Sequence, residues 1–274
     1  MRGTSDFRRA TRLDRRGHCA ALGSLALALW LVQASWCPSL ARADMIGINF
    51  KGPTKAGMGA SVGDRTAGVE PQSNWNDLGY WGSSSIKNDS GTVVANLSVN
   101  TSTSTDGYNS YATIPSDDGN RYLMRGYIRS SGASMTVTVS GLAVPFTNDG
   151  YDVIVYFDGG SSDADWITAY TITGGDITTV IYGKDKGGTG DWDGVFTKAS
   201  GTSSDNVNAL GNYVRFDGLK ASAFTLTATP VTGMGQGPIN GLQIIALPEP
   251  VSLALVGVGL AATLVARRRS PEGG

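Results

Sequence analysis

The feature that most restricts the fold of this chain is a two-residue apolar rhythm that recurs between Met45 and Ile245. Met135, Val137 and Val139 alternate with Thr136 and Thr138, and Phe224, Leu226 and Ala228 alternate with Thr225, Thr227 and Thr229. Val93, Ala95, Leu97 and Val99 alternate around Asn96 and Ser98. Successive side chains on a strand point to opposite faces, so such segments bury one face and wet the other. The run 151–157 (Tyr-Asp-Val-Ile-Val-Tyr-Phe) is apolar on both parities, as expected of a central strand covered on two sides. Further strands are expected at 45–50, 122–128, 166–172, 177–182, 213–216 and 239–245. They are separated by turn clusters such as Ser116-Asp117-Asp118-Gly119-Asn120 and Thr147-Asn148-Asp149-Gly150. No amphipathic helix is expected in this region. The fold class that follows is all-β: a single β-sandwich, jelly-roll-like, of two packed antiparallel sheets.

Both ends of the chain read differently. Arg2, Arg8, Arg9, Arg12, Arg15 and Arg16 make a basic start, an apolar stretch runs from Ala20 to Ala34, and Ala41-Arg42-Ala43 closes the segment. That order predicts a signal peptide over 1–43, an N-terminal signal helix removed by signal peptidase, with the mature chain starting at Asp44. The apolar stretch is shorter than the ~20 residues a spanning helix needs, which favours cleavage over retention. No hydrophobic consensus follows either arginine pair, so the expected route is general secretion. At the other end, Pro248-Glu249-Pro250 precedes an uncharged run from Val251 to Ala266 and then Arg267-Arg268-Arg269. The run predicts a short transmembrane segment, 251–266, with the arginines on the cytoplasmic side. At about 1.5 Å per residue it reaches only ~24 Å, a little short of a bilayer core unless its flanks help.

Pro-Glu-Pro, a short Gly/Ala-rich helix and a terminal arginine cluster resemble the PEP-CTERM sorting signal, and the resemblance covers residues 247–270. It implies transient membrane anchoring, recognition by an exosortase-type enzyme, and release or attachment at the cell surface or in the extracellular matrix. The extracytoplasmic domain is then 44–246. Its series Ile48-Asn49-Phe50, Asn74-Trp75-Asn76, the 151–159 strand, the 224–230 strand and Pro238-Ile239-Asn240-Gly241-Leu242-Gln243-Ile244 resembles uncharacterised secreted PEP-CTERM proteins of planctomycetes and relatives. The opening strand and the closing Asn-Gly strand also resemble those of malectin-like and galactose-binding-like jelly rolls, from which no sugar-contacting residue carries over.

Composition narrows the chemistry once the ends are set apart. Cys19, Cys37 and His18 all lie in the signal segment, so residues 44–246 hold no cysteine and no histidine. Disulfides, Cys or His nucleophile systems and His/Cys zinc sites are excluded there. The same stretch carries 12 Lys+Arg against 19 Asp+Glu, a net of −7, which disfavours nucleic acid as a partner. Glu70 is its only glutamate. Glycoside hydrolysis would therefore rest on an Asp–Asp pair that no spacing marks. No Gly-x-Ser-x-Gly elbow in a strand-turn-helix context and no phosphate loop is present, and the expectation is a protein that is not an enzyme.

Two Asp/Trp stretches are the candidate sites: residues 158–166, with Asp163, Asp165 and Trp166, and residues 185–193, with Asp191, Trp192 and Asp193. An exposed indole gives a flat apolar face for a pyranose ring, and neighbouring carboxylates accept hydroxyl hydrogen bonds. Trp166, Trp192, Asp163 and Asp165 would then form a carbohydrate site. The alternative is that each indole caps the core while the aspartates make turns. Asp163, Asp165, Asp191 and Asp193 are also candidate Ca²⁺ ligands, although no EF-hand loop is present and no other cofactor is expected. Trp75 and Trp81 either line an aromatic edge or plug the core. Arg121, Arg125 and Arg129 recur every fourth residue, a spacing that keeps one face on a helix or a strand and that reads as a solvated stripe. The leading function is a structural or adhesive protein that binds exopolysaccharide. A carbohydrate-active enzyme and a passive calcium-pinned surface protein are the alternatives.

Overall fold

A computed structural model describes residues 43–52, 61–79, 82–103, 106–108, 117–130, 132–159, 167–174, 177–185, 192–204, 207–231 and 236–248. The expected signal segment up to Arg42, the expected sorting tail from Glu249 with its membrane segment 251–266, and Trp81 lie outside these residues. In chain order the elements are β1 (Met45–Phe50), β2 (Asn76–Leu78), β3 (Ser98–Thr101), β4 (Asp106–Tyr108), α1 (Gly119–Arg125), β5 (Gly126–Ile128) and β6 (Met135–Ser140). They continue with β7 (Tyr151–Tyr156), β8 (Ile167–Thr173), β9 (Thr179–Lys184), a single 3-10 turn (Val207–Ala209), β10 (Tyr213–Leu219), β11 (Ala223–Pro230) and β12 (Gly241–Ala246). Among the described residues no helix is long and apolar enough to cross a membrane.

The strands form two five-stranded sheets, β10-β7-β12-β1-β2 and β3-β6-β11-β8-β9, with β4-β5 as a small separate ribbon. Every pairing is antiparallel except the short β1–β2 pair. The alternating segments do what their period predicts. On β6 the burial pattern alternates without exception: Met135, Val137 and Val139 are buried, while Thr136, Thr138 and Ser140 are partly exposed. Facing them across the sandwich, Ile46, Ile48 and Phe50 of β1, Val153 and Val155 of β7 and Leu242 and Ile244 of β12 complete one core. Removing each such side chain from water is worth about 1.5–3 kcal/mol.

The first sheet is buried on both faces, so β1, β7 and β12 each have all six residues buried. Its outer face is covered by a second apolar cluster in which Met45, Ile154, Tyr156 and Ile245 meet Val62, Ala67, Trp75, Leu123, Met124 and Trp192. Trp75 is therefore a core plug, 5 % exposed, with its indole N–H donating to Gln72 O at 3.1 Å. It lies so close to β1 that a Cβ at Gly47 would come within 2.6 Å of the indole ring, which explains a glycine in a buried strand. A polar seam crosses the same cluster. Tyr156 Oη donates to Gln243 Oε1 (2.8 Å) and accepts from Val69 N (2.7 Å), while Gln243 Nε2 donates to Gln72 Oε1 (2.9 Å) and Glu70 O (2.5 Å). These bonds satisfy groups whose burial would otherwise be costly, and they fix the 69–72 turn to the sheet.

Three expectations are corrected. The segment 122–128 is not one strand: α1 occupies 119–125 and only 126–128 is extended. Asp118 sits in an extended conformation and its carboxylate accepts from Asn120 N at 2.8 Å, which starts the helix. The following Arg-Tyr-Leu-Met-Arg has no β-branched residue and inserts Leu123 and Met124 into the second cluster. The arginine stripe dissolves with it. Arg121 is 8 % exposed on the helix, so it is no solvated side chain, and Arg129 lies past β5, where its guanidinium donates to Gln236 Oε1. Upstream, the 93–99 alternation pairs as a strand only from Ser98, because Asn96 turns the chain with a φ of 63°.

Candidate functional site

Strand directions bring the first residues of both Asp/Trp stretches to one end of the sandwich. β7 ends at Tyr156, which pairs with Gly241 at the start of β12 and with Tyr213 at the start of β10. β9 ends at Lys184, which pairs with Ile167 at the start of β8. The β7–β8 connection, residues 157–166, and the β9–β10 connection, residues 185–212, therefore both open at this loop end.

Their first residues are tied together under cover. Asp158 and Asp185 are 1 % and 5 % exposed, and Gly159 N–H donates to Asp185 Oδ2 at 2.7 Å, joining the two connections. Asn240, fully buried just before β12, joins a third and a fourth piece of chain. Its Oδ1 accepts from Asp158 N (2.6 Å) and its Nδ2 donates to Met124 O (2.6 Å), near the C-terminal end of α1. Tyr170 of β8 stacks on Phe157 with ring centroids 5.0 Å apart, and its hydroxyl donates to Pro238 O at 2.8 Å. Complete burial pushes the Tyr170 phenol well above its usual range. A hydrogen bond with Thr168 partly opposes this, and the Asp185 and Asp158 carboxylates add to it. Residues from five chain segments thus form a buried, hydrogen-bonded base beneath the loop end.

The expected site residues divide sharply on this base. Asp163, Asp165, Trp166 and Asp191 lie outside the described residues. Trp192 is described and offers no open face: it is 1 % exposed, its ring packs on Phe196 at 5.6 Å, and its indole N–H donates to Val195 O at 3.1 Å. As a sugar-stacking platform it is corrected to a core side chain, because the outer face of the first sheet needs a cover and this indole supplies part of it. Asp193 is exposed and its carboxylate accepts from Val195 N at 3.0 Å, the bond of an aspartate turn. Among the described residues no three His, Cys, Asp or Glu side chains converge as metal ligands. Of the residues expected to serve targeting, Ala41, Glu249, Pro250, Arg267, Arg268 and Arg269 fall outside the described residues. Ala43 packs on the second cluster, Asp44 O accepts from Ala246 N at 2.9 Å, and Pro248 is exposed.

Sequence reasoning did not single out Asn240, Asp158 or Asp185 as structural. For Asp158 and Asn240 a signal was present: each is a polar residue at the end of an apolar run, where only a specific partner offsets the cost of burying it, whereas Asp185, between Lys184 and Lys186, carries no such mark. Other carboxylates hold loops. Asp77 accepts from Asn49 Nδ2 (2.7 Å), Val62 N (2.9 Å) and Gly63 N (3.1 Å). Asp152 accepts from Arg215 Nη2 (2.5 Å) and Gly218 N (2.8 Å).

No family model matches this chain, and no curated protein matches it. Among solved structures the chain is similar to the native structure of a family 35 carbohydrate binding module from Clostridium thermocellum. The two share 14 % identity over 54 % of this chain and 88 % of that one, with a TM-score of 0.28. At that TM-score the likeness transfers neither a ligand nor a residue role to this chain.

Proposed function

We propose that this is an exported, tail-sorted, non-catalytic protein of the cell surface or extracellular matrix whose loop end binds polysaccharide. The observation that carries the reading is the Gly159 N–H to Asp185 Oδ2 bond, with Asn240 behind it, which mounts both Asp/Trp connections on one buried base. Loops carried on a rigid scaffold lose less conformational entropy when a ligand orders them. The strand order supports the same reading. Within the two sheets the order β1-β12-β7-β10 runs alongside β6-β11-β8-β9, with β10 next to β9, and successive strands from β6 onward change sheet except at the β8–β9 hairpin. That is the winding of a jelly roll, a fold that leaves its connections clustered at the two ends.

The non-catalytic part of the proposal draws on how the described carboxylates are engaged. Asp77 and Asp152 each hold backbone N–H groups, and Glu70, the one glutamate of the domain, lies 3.6 Å from Arg215. A pair set apart for acid–base work on a glycosidic bond would have to come from other residues.

The test is glycan-array binding by the signal-free chain, with Ca²⁺ and with EDTA. Saturable binding that Trp166→Ala abolishes without moving the melting midpoint supports the reading. Retention that persists in Ca²⁺ and vanishes in EDTA assigns the aspartates Asp163, Asp165, Asp191 and Asp193 a cation. Absence of binding in both buffers overturns the polysaccharide reading and leaves a passive matrix component.

A further inference from the structure

The two ends of the described fold leave the sandwich side by side. Met45 opens β1 opposite Ile245 of β12, and Ala246 N–H donates to Asp44 O. Leu247 N–H then donates to Gly150 O at 2.8 Å, so the chain is held to the fold as far as Leu247. Only Pro248, Glu249 and Pro250 stand between that residue and the uncharged run that starts at Val251. Three residues span at most about 11 Å even when fully extended. The link cannot lengthen by peeling β12 from the fold. That strand lies between β7 and β1, all six of its residues are buried, and releasing it would open both apolar clusters.

The opposite end lies a strand length away, about 20 Å for six residues at ~3.3 Å each. The end beside Leu247 carries the β6–β7 connection, residues 141–150, and the β10–β11 connection, residues 220–222. The loop end carries the β7–β8, β9–β10 and β11–β12 connections. A retained N-terminal segment would leave through Asp44, beside Ala246, so it would not favour the other end.

We infer that, while the tail is in the membrane, the domain stands with its β6–β7 and β10–β11 connections against the lipid headgroups and its loop end held away from them. This rests on the tail reading given under Proposed function. The partner of the near end is a lipid surface, because an ~11 Å tether leaves no room for a folded protein in between. Val144, 66 % exposed in the β6–β7 connection, and Val93, 53 % exposed, lie at that end. The Val93 position follows from its hairpin, in which Asp89 N–H donates to Met45 O at 2.8 Å. The polymer-binding loops therefore face outward before any release of the tail, and the protein can engage matrix while still anchored.

The absence of cysteine from residues 44–246 makes the test direct. The full chain, with Cys19→Ser and Cys37→Ser, receives a single fluorophore at Ala143→Cys or at Val195→Cys, both exposed positions at opposite ends. Each is reconstituted in phosphatidylethanolamine–phosphatidylglycerol vesicles with nitroxide-labelled headgroups. The expected result is loss of fluorescence at position 143 and none at position 195, with the loss at 143 relieved by a long Gly/Ser insert after Pro250. Flotation with the vesicles together with equal or reversed quenching overturns the orientation alone. Failure to float overturns the tail reading and the orientation with it.

Discussion

Replacing Trp192 with alanine separates a core indole from a binding platform. The side chain is 1 % exposed and lies in the cluster that covers the outer face of the first sheet, against Phe196, whose ring in turn packs on Tyr156 and Tyr213. Truncating a buried tryptophan costs about 3–5 kcal/mol, from lost transfer energy and the cavity left behind. For a domain of this size each kcal/mol moves the midpoint by about 2–4 °C, so Trp192→Ala should melt about 6–20 °C lower than the parent. Trp192→Phe is the informative partner variant. It keeps an aromatic ring beside Phe196 and loses the indole N–H, but Val195 O keeps its other donor, Asn212 Nδ2 at 2.8 Å. That carbonyl is not orphaned, so the lost bond should cost only about 1 kcal/mol before the smaller ring is counted. Differential scanning calorimetry with polysaccharide retention on the same samples gives both readouts. Should Trp192→Ala melt within about 2 °C of the parent, less than the shift expected for 1 kcal/mol, yet lose retention, the indole is at the surface and the reasoning from burial fails.

Asn240→Ala should be nearly as damaging as Trp192→Ala. It removes the side chain that bonds both Asp158 N and Met124 O in a buried site, at a total cost of about 1–3 kcal/mol or more, and hydrogen exchange should show faster opening of 157–159 than of β6. Equal protection of both regions would mean that Asn240 does not hold the loop base. Asp152→Ala should cost about 1–3 kcal/mol by urea unfolding, because it leaves Gly218 N without its acceptor and takes from a partly buried guanidinium its nearest and most buried carboxylate partner. Asp217→Ala, at an exposed partner of the same Arg215, should change stability by less than about 1 kcal/mol; equal effects of the two would refute the distinction. Burial raises the phenols of both Tyr156 and Tyr170 above their usual value near 10. The unfolded chain therefore ionises first, and the stability these groups contribute is complete below about pH 10 and is lost as pH rises further, at up to ~1.4 kcal/mol per unit for each tyrosine. Their ultraviolet titration should coincide with unfolding, and ionisation in the still-folded domain would contradict their burial.

The sequence alone determined the all-β class, most strand positions and the two-faced burial of β7. Each follows from a local rule: side chains alternate along a strand, and a strand apolar on both parities must be covered on both faces. It also marked the loop aspartates and tryptophans as the places to look. Tertiary structure decided what Trp192 does. An indole in a Gly- and Asp-rich stretch reads the same whether it faces solvent or a sheet, and Trp192 went inward because the outer face of the first sheet needed cover that β1, β7 and β12 cannot give one another. The helix over 119–125 was hidden for a related reason. Seven residues are too few to show a period, and the cap at Asp118 with the apolar floor under Leu123 and Met124 chose the conformation. The bond between Gly159 and Asp185, and the shared exit of Asp44 and Leu247, join residues 26 and about 200 positions apart. No local pattern encodes such pairs, because strand neighbours are selected by how two whole sheets pack rather than by the residues of either segment.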